Sequence, residues 1–495
     1  LYPPIKSCQT LSCQSQQLGN LRSVECKLFT LKRGVLPASS VSLYCRTCNT
    51  RYFHNYYVTR ASEPLAQRIY YGGIPDILQI SEQILVESSL AILFENQMTF
   101  QHASAQSIAL IYNLALGKTS TIIPNFSRLT LGVADETIWD TFFLHSLLRH
   151  KYHHNDILHL PHGGEQSKRY TSALEARNKL TAGNGQSSWG HACKKCFHVM
   201  EDEDGQKKYL FAGVTDGVTL GHTCCSFRPI CTNPLESTRD RFCSEHRHMA
   251  LLCAVSDCNT VAETGHLTCT KPLHRLQEEN KSDMVTAPED RSESAQESNS
   301  IESKVNRMSR RWTHNEQLFV LCCGIIIGRA TLYNAEGLSA VLEFLKAVFP
   351  EQYPHYHPTH IFYDHNCGLL KMMQANGDNY FADVALVLDV FHAKHTHSEQ
   401  DSFCVLNCNP AAFPELVMEN SKWRFNSSAA EQANNWFGAF QPIAQELPVH
   451  RSLSFFLDEM IAVRNQWMIE EQHKNGDCPH IHPGSTQFVA PGTTT

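Results

Sequence analysis

The stretch LFVLCCGIIIGRATLYNAEGLSAVLEFLKAVF (residues 318–349) passes from a continuous apolar run into an amphipathic one. Its first half, through Tyr333, has the character of a buried strand or pair of strands. In its second half Leu338, Val341, Leu342, Leu345 and Val348 fall on one helical face. HIFYDHNCGLL (360–370) then adds a short strand closing on Asp364, and VALVLDVFH (384–392) a third closing on Asp389. Strands alternating with helices predict an α/β domain, a mixed sheet flanked by helices. Acids at the strand ends would line one edge of that sheet, where metal-dependent active sites are commonly assembled. Asp389 has the weaker claim to such a role, because acids also end strands for solubility.

Working outward, YLFAGVTDGVTLGH (209–222) is a further strand-like run containing Asp216 and Gly217. The acid could face a metal, or the Asp-Gly pair could form a hairpin turn. Downstream, FNSSAAEQANNWFGAF (425–440) carries Ala429, Ala433, Trp436, Phe437 and Phe440 as a buried helical stripe, with Glu431 in the first turn. Ser428 and Glu431 have capping-box spacing, and on the residues alone capping ranks above catalysis. SFFLDEMIAVRNQWMIEEQ (454–472) reads as a core helix with Asp458 and Glu459 on its solvated face. Toward the N-terminus, Ile80, Ile84, Leu85, Ile92 and Leu93 fall at helical spacing within 80–97, and 133–149 reads the same way.

Cysteine and histidine dominate the motifs. Cys225, Cys231, Cys243 and His246 are followed by Cys253, Cys258, Cys269 and His274, two Cys3His sets suited to tetrahedral zinc. PLESTRDRFCSEH and NTVAETGHLTCTKPLH hold too few large apolar residues to build a core, so metal would organise this segment. A disulfide reading is disfavoured, because disulfides give no reason for the two histidines to fall in register. Cys8, Cys13, Cys45 and Cys48 form an N-terminal zinc knuckle, with Cys26 as a possible substitute ligand. The aromatics Tyr52, Phe53, Tyr56 and Tyr57 behind it read as its apolar backing rather than a base-stacking platform. Cys193 and Cys196 begin another set whose partners spacing does not determine, His191, His198 and Cys224 being the choices. His392, His397, Cys404 and Cys408 form a Cys2His2 set, with His395 as an alternative ligand.

The composition is consistent with this metal-handling reading. There are 20 Cys and 27 His in 495 residues, and 42% of the chain is hydrophobic, enough for real cores. No stretch resembles a secretory signal, and the longest apolar run, Phe319 to Gly328, is too short to span a bilayer. A net charge of −7 counts against nucleic-acid binding over the whole surface, so any such contact would be local. Leu1 in place of Met suggests a piece of a longer chain. Residues 275–311, charged and Ser/Glu-rich, read as a solvated linker. Their closing basic residues, Lys304, Arg307, Arg310 and Arg311, could touch phosphate. The expected divisions are a zinc knuckle over 1–60, a mostly helical scaffold over 61–185, a cysteine-rich region over 190–274 with a strand at 208–217, the linker, a catalytic core over 312–472, and a tail over 473–495.

The motifs YCRTCNTRYFHNYY (44–57), YYGGIPD (70–76), GVTDGVTLGHTCC (213–225), RDRFCSEH (239–246), IFYDHNC (361–367), DVFHAKH (389–395), FCVLNCNP (403–410) and FNSSAAEQANNW (425–436) together resemble the fungal KDZ (Kyakuja-Dileera-Zisupton) DNA transposases with their associated cysteine clusters. The resemblance runs from about Cys8 to Asn465. It implies an RNase H-like transposase core with inserted and N-terminal zinc modules and a DDE-type acid set. Carried over by motif, Asp364 is similar to the second acid and Glu431 to the last. Asp216 is the better candidate for the first, since 318–333 contains no Asp; without it, this copy would be catalytically impaired. The implied metals are structural zinc and catalytic Mg²⁺ or Mn²⁺, because hard cations require carboxylates. The implied partners are DNA at transposon ends and target and further copies of the chain, with no membrane, in the nucleus. The rival reading is a non-catalytic zinc-dependent DNA- or chromatin-binding or protein-interaction protein derived from such an element.

Overall fold

The computed structural model describes residues 1–10, 13, 17–117, 132–201, 205, 207–223, 225, 227, 231, 233, 235, 240–255, 258–282, 313–332, 337–395, 401–447 and 450–485. The N-terminal region holds strands β1 (Gly19–Thr30), β2 (Gly34–Cys45), β3 (Thr50–Tyr52), β4 (Tyr56–Thr59), β5 (Gln67–Tyr70), β6 (Ile77–Gln79) and β7 (Ile84–Glu87). Helices α1 (Ser88–Gln101), α2 (Ala105–Ala115) and α3 (Asp135–His153), strand β8 (His159–Pro161) and helix α4 (Thr171–Thr181) follow. The eight strands form one sheet in the order β6-β7-β1-β2-β3-β4-β5-β8. The knuckle at 1–60 is thus continuous with the segment after it, not a separate module. The helix expected from Ile80 begins only at Ser88, since Ile84 and Leu85 lie in a β6–β7 hairpin. There β7 is paired on both sides and both Leu85 and Val86 are buried. Such a short apolar run carries no decisive period.

The second half of the chain contributes β9 (His191–Ala192), β10 (Phe197–Glu201), β11 (Lys207–Thr223), α5 (Pro272–Ser282), β12 (Thr313–Leu321), β13 (Ile326–Leu332), α6 (Leu338–Val348), β14 (His360–Phe362), α7 (Asn366–Asn376), β15 (Ala385–Val387), α8 (Val390–His395), α9 (Ser402–Asn407), α10 (Ala429–Gly438), α11 (Gln441–Glu446), α12 (His450–Lys474) and β16 (His480–Ile481). Residues 318–332 of the apolar run form a hairpin that turns at Gly324, whose φ is 91°. The sheet order is β13-β12-β11-β14-β15, with β10 also on β11. Strands β11, β12 and β13 are antiparallel, while β14 and β15 run parallel to β11. This is the mixed α/β architecture expected, and it explains two of its glycines. A Cβ at Gly213 would come 2.3 Å from the Phe319 ring, and one at Gly328 2.6 Å from Val348, so both positions admit close packing only without a side chain. Asp216 and Gly217 lie inside β11, paired to Leu318 and Gln317, so they form no hairpin turn. The linker begins later than its composition suggested, because α5 runs to Ser282. Residues 283–312, including the basic group at 304–311, lie outside the described residues. Among the described residues no helix is long and apolar enough to cross a membrane.

The largest departure from expectation is in α12. Asp458 and Glu459 are only 3% and 4% exposed, not solvated. Arg329 on β13 bonds Asp458 at 2.7 Å and Glu316 of β12 at 2.6 Å. Arg177 on α4 pairs with Glu459 and Asp458, and Arg149 on α3 joins Glu459 at 2.7 Å to Glu95 of α1 at 2.5 Å. The surrounding carboxylates hold the Arg149 and Arg329 guanidiniums above their ordinary range despite burial. Removing one partner from a buried pair strands a charge at a cost of about 3–5 kcal/mol, whereas an exposed pair is worth under about 1 kcal/mol. Arg329→Met is therefore expected to shift the denaturant midpoint strongly, and Arg60→Ala, which breaks the exposed pair with Glu63, hardly at all. Equal shifts would show that the buried network does not bear on stability.

Candidate metal centres and active site

Among the described residues four Cys/His groups converge, each with all its ligand atoms within 4.8 Å of one another: Cys8, Cys13, Cys45, Cys48; His191, Cys193, Cys196, Cys323; Cys225, Cys231, Cys243, His246; and Cys253, Cys258, Cys269, His274. In the first, the Sγ atoms of Cys8 and Cys48 are 3.4 Å apart and those of Cys13 and Cys45 3.6 Å. The Cys193–Cys196, Cys231–Cys243 and Cys258–Cys269 separations are each 3.8 Å. A sulfur–sulfur bond is about 2.05 Å long, while thiolates at about 2.3 Å from a tetrahedral ion stand about 3.8 Å apart. These groups are metal cages rather than disulfides, and they fit structural zinc. His246 turns Nδ1 to Cys243 at 3.3 Å and His274 turns Nδ1 to Cys269 at 3.3 Å, so both repeats close on the same ring nitrogen. The small cores around them consist largely of the ligands themselves: in the second repeat Cys253, Cys258 and Cys269 form the apolar cluster, and among the described residues Val255 packs against it.

Local donors favour the thiolate at some of these cysteines, while burial pushes others up, Cys231 to about 12. Burial alone would push the Cys45 thiol up, but the backbone amides of Cys48 and Thr47 outweigh it and bring it down to about 6. The Thr260 hydroxyl and amide bring Cys258 to about 6 as well. Cys26 is buried in the sheet and stands outside the N-terminal group. For the Cys193–Cys196 pair, the third and fourth ligands are His191 and Cys323. His191 was among the choices offered by spacing. Cys323 was not, because it arrives from the β12–β13 turn far along the chain. Its only sequence signal is a Cys-Cys-Gly tripeptide at the centre of an apolar run, where Cys322 is buried in the core and Cys323 is turned the other way.

The fifth convergent group is Asp364, Asp389 and His392. Val214 on β11 pairs with Phe362 on β14, and Phe362 with Val387 on β15. Asp216, Asp364 and Asp389 therefore each lie two residues beyond a paired position on three adjacent strands. His392 Nδ1 sits 3.1 Å from Asp364 Oδ1 and 3.3 Å from Asp389 Oδ1. Asp389 Oδ1 also accepts the amides of Phe391 and His392. Burial raises the Asp389 carboxyl, but the Ser427 hydroxyl and these amides win and hold it below its ordinary range. Its Oδ2 is buried and makes no hydrogen bond of good geometry among the described residues.

Asp216 and Glu431 stand outside this group. Gly217 donates its amide to Asp216 Oδ1 at 2.8 Å, and Asn434 of α10 donates Nδ2 to Oδ2 at 2.7 Å. Glu431 is exposed one turn before Asn434. Ser428 is the N-cap of α10 but makes no side-chain cap bond, so the capping box that its spacing suggested does not form. His392 stands with the acids rather than with Cys404 and Cys408, and His397 lies outside the described residues. Cys404 and Cys408 are buried against Leu388 with Cys367 beside them. Burial pushes Cys404 up to about 11 and Cys408 up to about 12.

The geometry sets an expected metal content. The full chain should carry four zinc ions in these Cys/His groups; Cys323→Ser should lower that by about one, and Cys26→Ser should leave it unchanged. Zinc content by plasma emission, together with native mass, reads both. Retention of the full complement by Cys323→Ser would remove Cys323 from the ligand set.

Residues 1–116 match a family model described as a CxC5-like cysteine cluster associated with KDZ transposases, and residues 214–280 match one described as a CxC6-like cysteine cluster associated with KDZ transposases. The first spans the Cys8–Cys48 cage and the second both Cys3His repeats. No curated protein and no solved structure matches the chain. The chain thus carries two cysteine clusters of the kinds associated with KDZ transposases.

Proposed function

We propose that the chain is a transposase whose core is RNase H-like and which cuts and joins DNA by phosphoryl transfer at the edge of the β11–β14–β15 sheet. The observation that carries this reading is the meeting of Asp364 and Asp389 beside His392, in register with Asp216 on the neighbouring strand. The donor chemistry fits a hard cation: carboxylate oxygens converge, and one buried Asp389 oxygen makes no hydrogen bond of good geometry. Asp364 and Asp389 would hold magnesium or manganese, with Asp216 on the adjoining strand and Glu431 from α10 as further acids. When bound, such ions supply activation of the attacking oxygen and stabilisation of the leaving one. The chain's own part is to keep the acids ionised and aimed. Phe391, His392 and Ser427 do this for Asp389, and Gly217 and Asn434 orient Asp216.

DNA, further copies of the chain on it, and a nuclear location follow from the same reading. One observation favours the non-catalytic alternative: both Asp216 oxygens are engaged by protein donors. In a strand-nicking assay with Mg²⁺ or Mn²⁺ on a DNA substrate bearing the element's ends, Asp364→Asn is expected to lose at least about 100-fold in rate, equivalent to ~2.7 kcal/mol of barrier. Comparing Asp389→Asn with Glu431→Gln then assigns the last acid. Wild-type nicking by Asp364→Asn would sink the catalytic reading.

A further inference from the structure

A cavity of about 590 Å³ opens between the Cys193–Cys196 loop, the β12–β13 turn and the start of α10. Its size is that of a site for one small ligand or one nucleotide, well below what a duplex needs. Its walls carry Lys194, Lys195, Arg424 and Arg464, and no lining residue is acidic, in a chain whose net charge is −7. Lys195 is paired with Asp477 at 2.6 Å. The other three cations hydrogen-bond main-chain carbonyls: Lys194 to Gly476, Arg424 to Glu415 and Arg464 to Gly324. A carbonyl fixes a cation without neutralising it, so these side chains keep charge for an anion. Burial pulls the Arg464 guanidinium down to about 10, and the neighbouring Cys323 thiol favours its charged form.

The remaining lining has a matching chemistry. Trp423 is half-buried at the cavity, and Asn426 and Gln432 place two side-chain amides there, bonded to each other at 3.1 Å. Aromatic rings beside cations are what single-stranded nucleic acid recognises, bases stacking on the ring while phosphates meet the charges. The position fits as well: Ala429 and Gln432 of α10 line the cavity, and the same helix carries Glu431 and the Asn434 that orients Asp216.

We propose that this cavity seats one unstacked nucleotide of a DNA strand on its way to the acid edge, its base against Trp423 and its phosphates on Lys194, Arg424 and Arg464. The proposal rests on the DNA-cutting reading above. Cys323 is both a cage ligand and a wall residue, so the His191–Cys193–Cys196–Cys323 centre sets the shape of the cavity.

The test is binding of a short fluorescent oligothymidylate to the full chain by anisotropy, without added magnesium. Trp423→Ala is expected to weaken binding about tenfold, the scale of one lost base–aromatic stack, while Trp423→Phe retains most of it. Lys194→Gln with Arg424→Gln is expected to flatten the dependence of log affinity on log salt by about 1.4, from about 0.7 per lost phosphate contact. Zinc content checks that the cage is intact; if Trp423→Ala loses zinc, the double variant decides. Wild-type affinity in the double variant, or a duplex of equal length competing as well as the strand, overturns the proposal. Normal binding by these variants alongside dead Asp364→Asn would remove the cavity and leave the catalytic reading standing. Lost binding alongside active Asp364→Asn would do the reverse.

Discussion

The buried charge relay on α12 is the constraint on which the rest of the structure depends. Asp458 and Glu459 reach outward from one helical turn to Arg329 on the sheet and to Arg177 and Arg149 on the helices before it, ending at Glu95 on α1. Apart from Arg149, which is half-buried, the members have given up water, and the pairing energy repays that cost only where each carboxylate and guanidinium meets its partner. A relay of this kind adds little to stability relative to a well-packed apolar core of the same shape. Its pairs join α1, α3 and α4 to α12, and α12 to the β12–β13 hairpin, so each charge has its partner only in the observed arrangement of these elements. The acid edge and the cavity above the β12–β13 turn lie on elements whose positions this arrangement fixes.

Zinc divides the labour differently. The cages at Cys225–His246 and Cys253–His274 hold segments whose buried residues are largely the ligands, so metal stands in for a core there. The cage at His191, Cys193, Cys196 and Cys323 instead ties a loop to a hairpin that already has a core. Its effect is local precision. It fixes the turn at Gly324 beside Arg464 and Met468, where a cavity wall is needed. Soft ligands thus gather in the Cys/His groups, while the carboxylates of Asp364 and Asp389 converge separately at the sheet edge, beside His392.

How much of this was legible in the sequence depends on range. The ligands of the two Cys3His repeats and of the Cys8–Cys48 cage were readable, because each set is defined by short spacings. So were the buried strand character of 318–332, α6 and the strands ending near Asp364 and Asp389, each marked by a local apolar pattern, though that pattern does not decide whether 318–332 holds one strand or two. Cys323 was not, since nothing in its surroundings distinguishes a ligand from a core cysteine. Asp458 and Glu459 were misread for the same reason: helical periodicity identifies a face but not whether arginines from three other elements will meet it. The strand at Ile84 was missed because two-sided burial in a sheet erases the alternation that marks a strand. Asp389 was ranked low because its neighbour across the sheet, Asp364, becomes a neighbour only once β14 and β15 pair.

The choice of the last acid turns on the geometry of α10. A helix that presents Asn434 to Asp216 presents Glu431, one turn earlier, on the same side, because residues three apart are neighbours on a helical surface. Glu431 is exposed, which suits a group that must reach an ion or a strand rather than a protein donor. Asp389 is the opposite case, buried and held ionised by two backbone amides and a hydroxyl, with Oδ1 shared by His392. A carboxylate so fixed is preorganised and needs no movement to serve as a ligand. The two acids therefore differ in kind: Asp389 is buried and fixed beside Asp364 and His392, whereas Glu431 stands exposed on α10, one turn before the Asn434 that bonds Asp216.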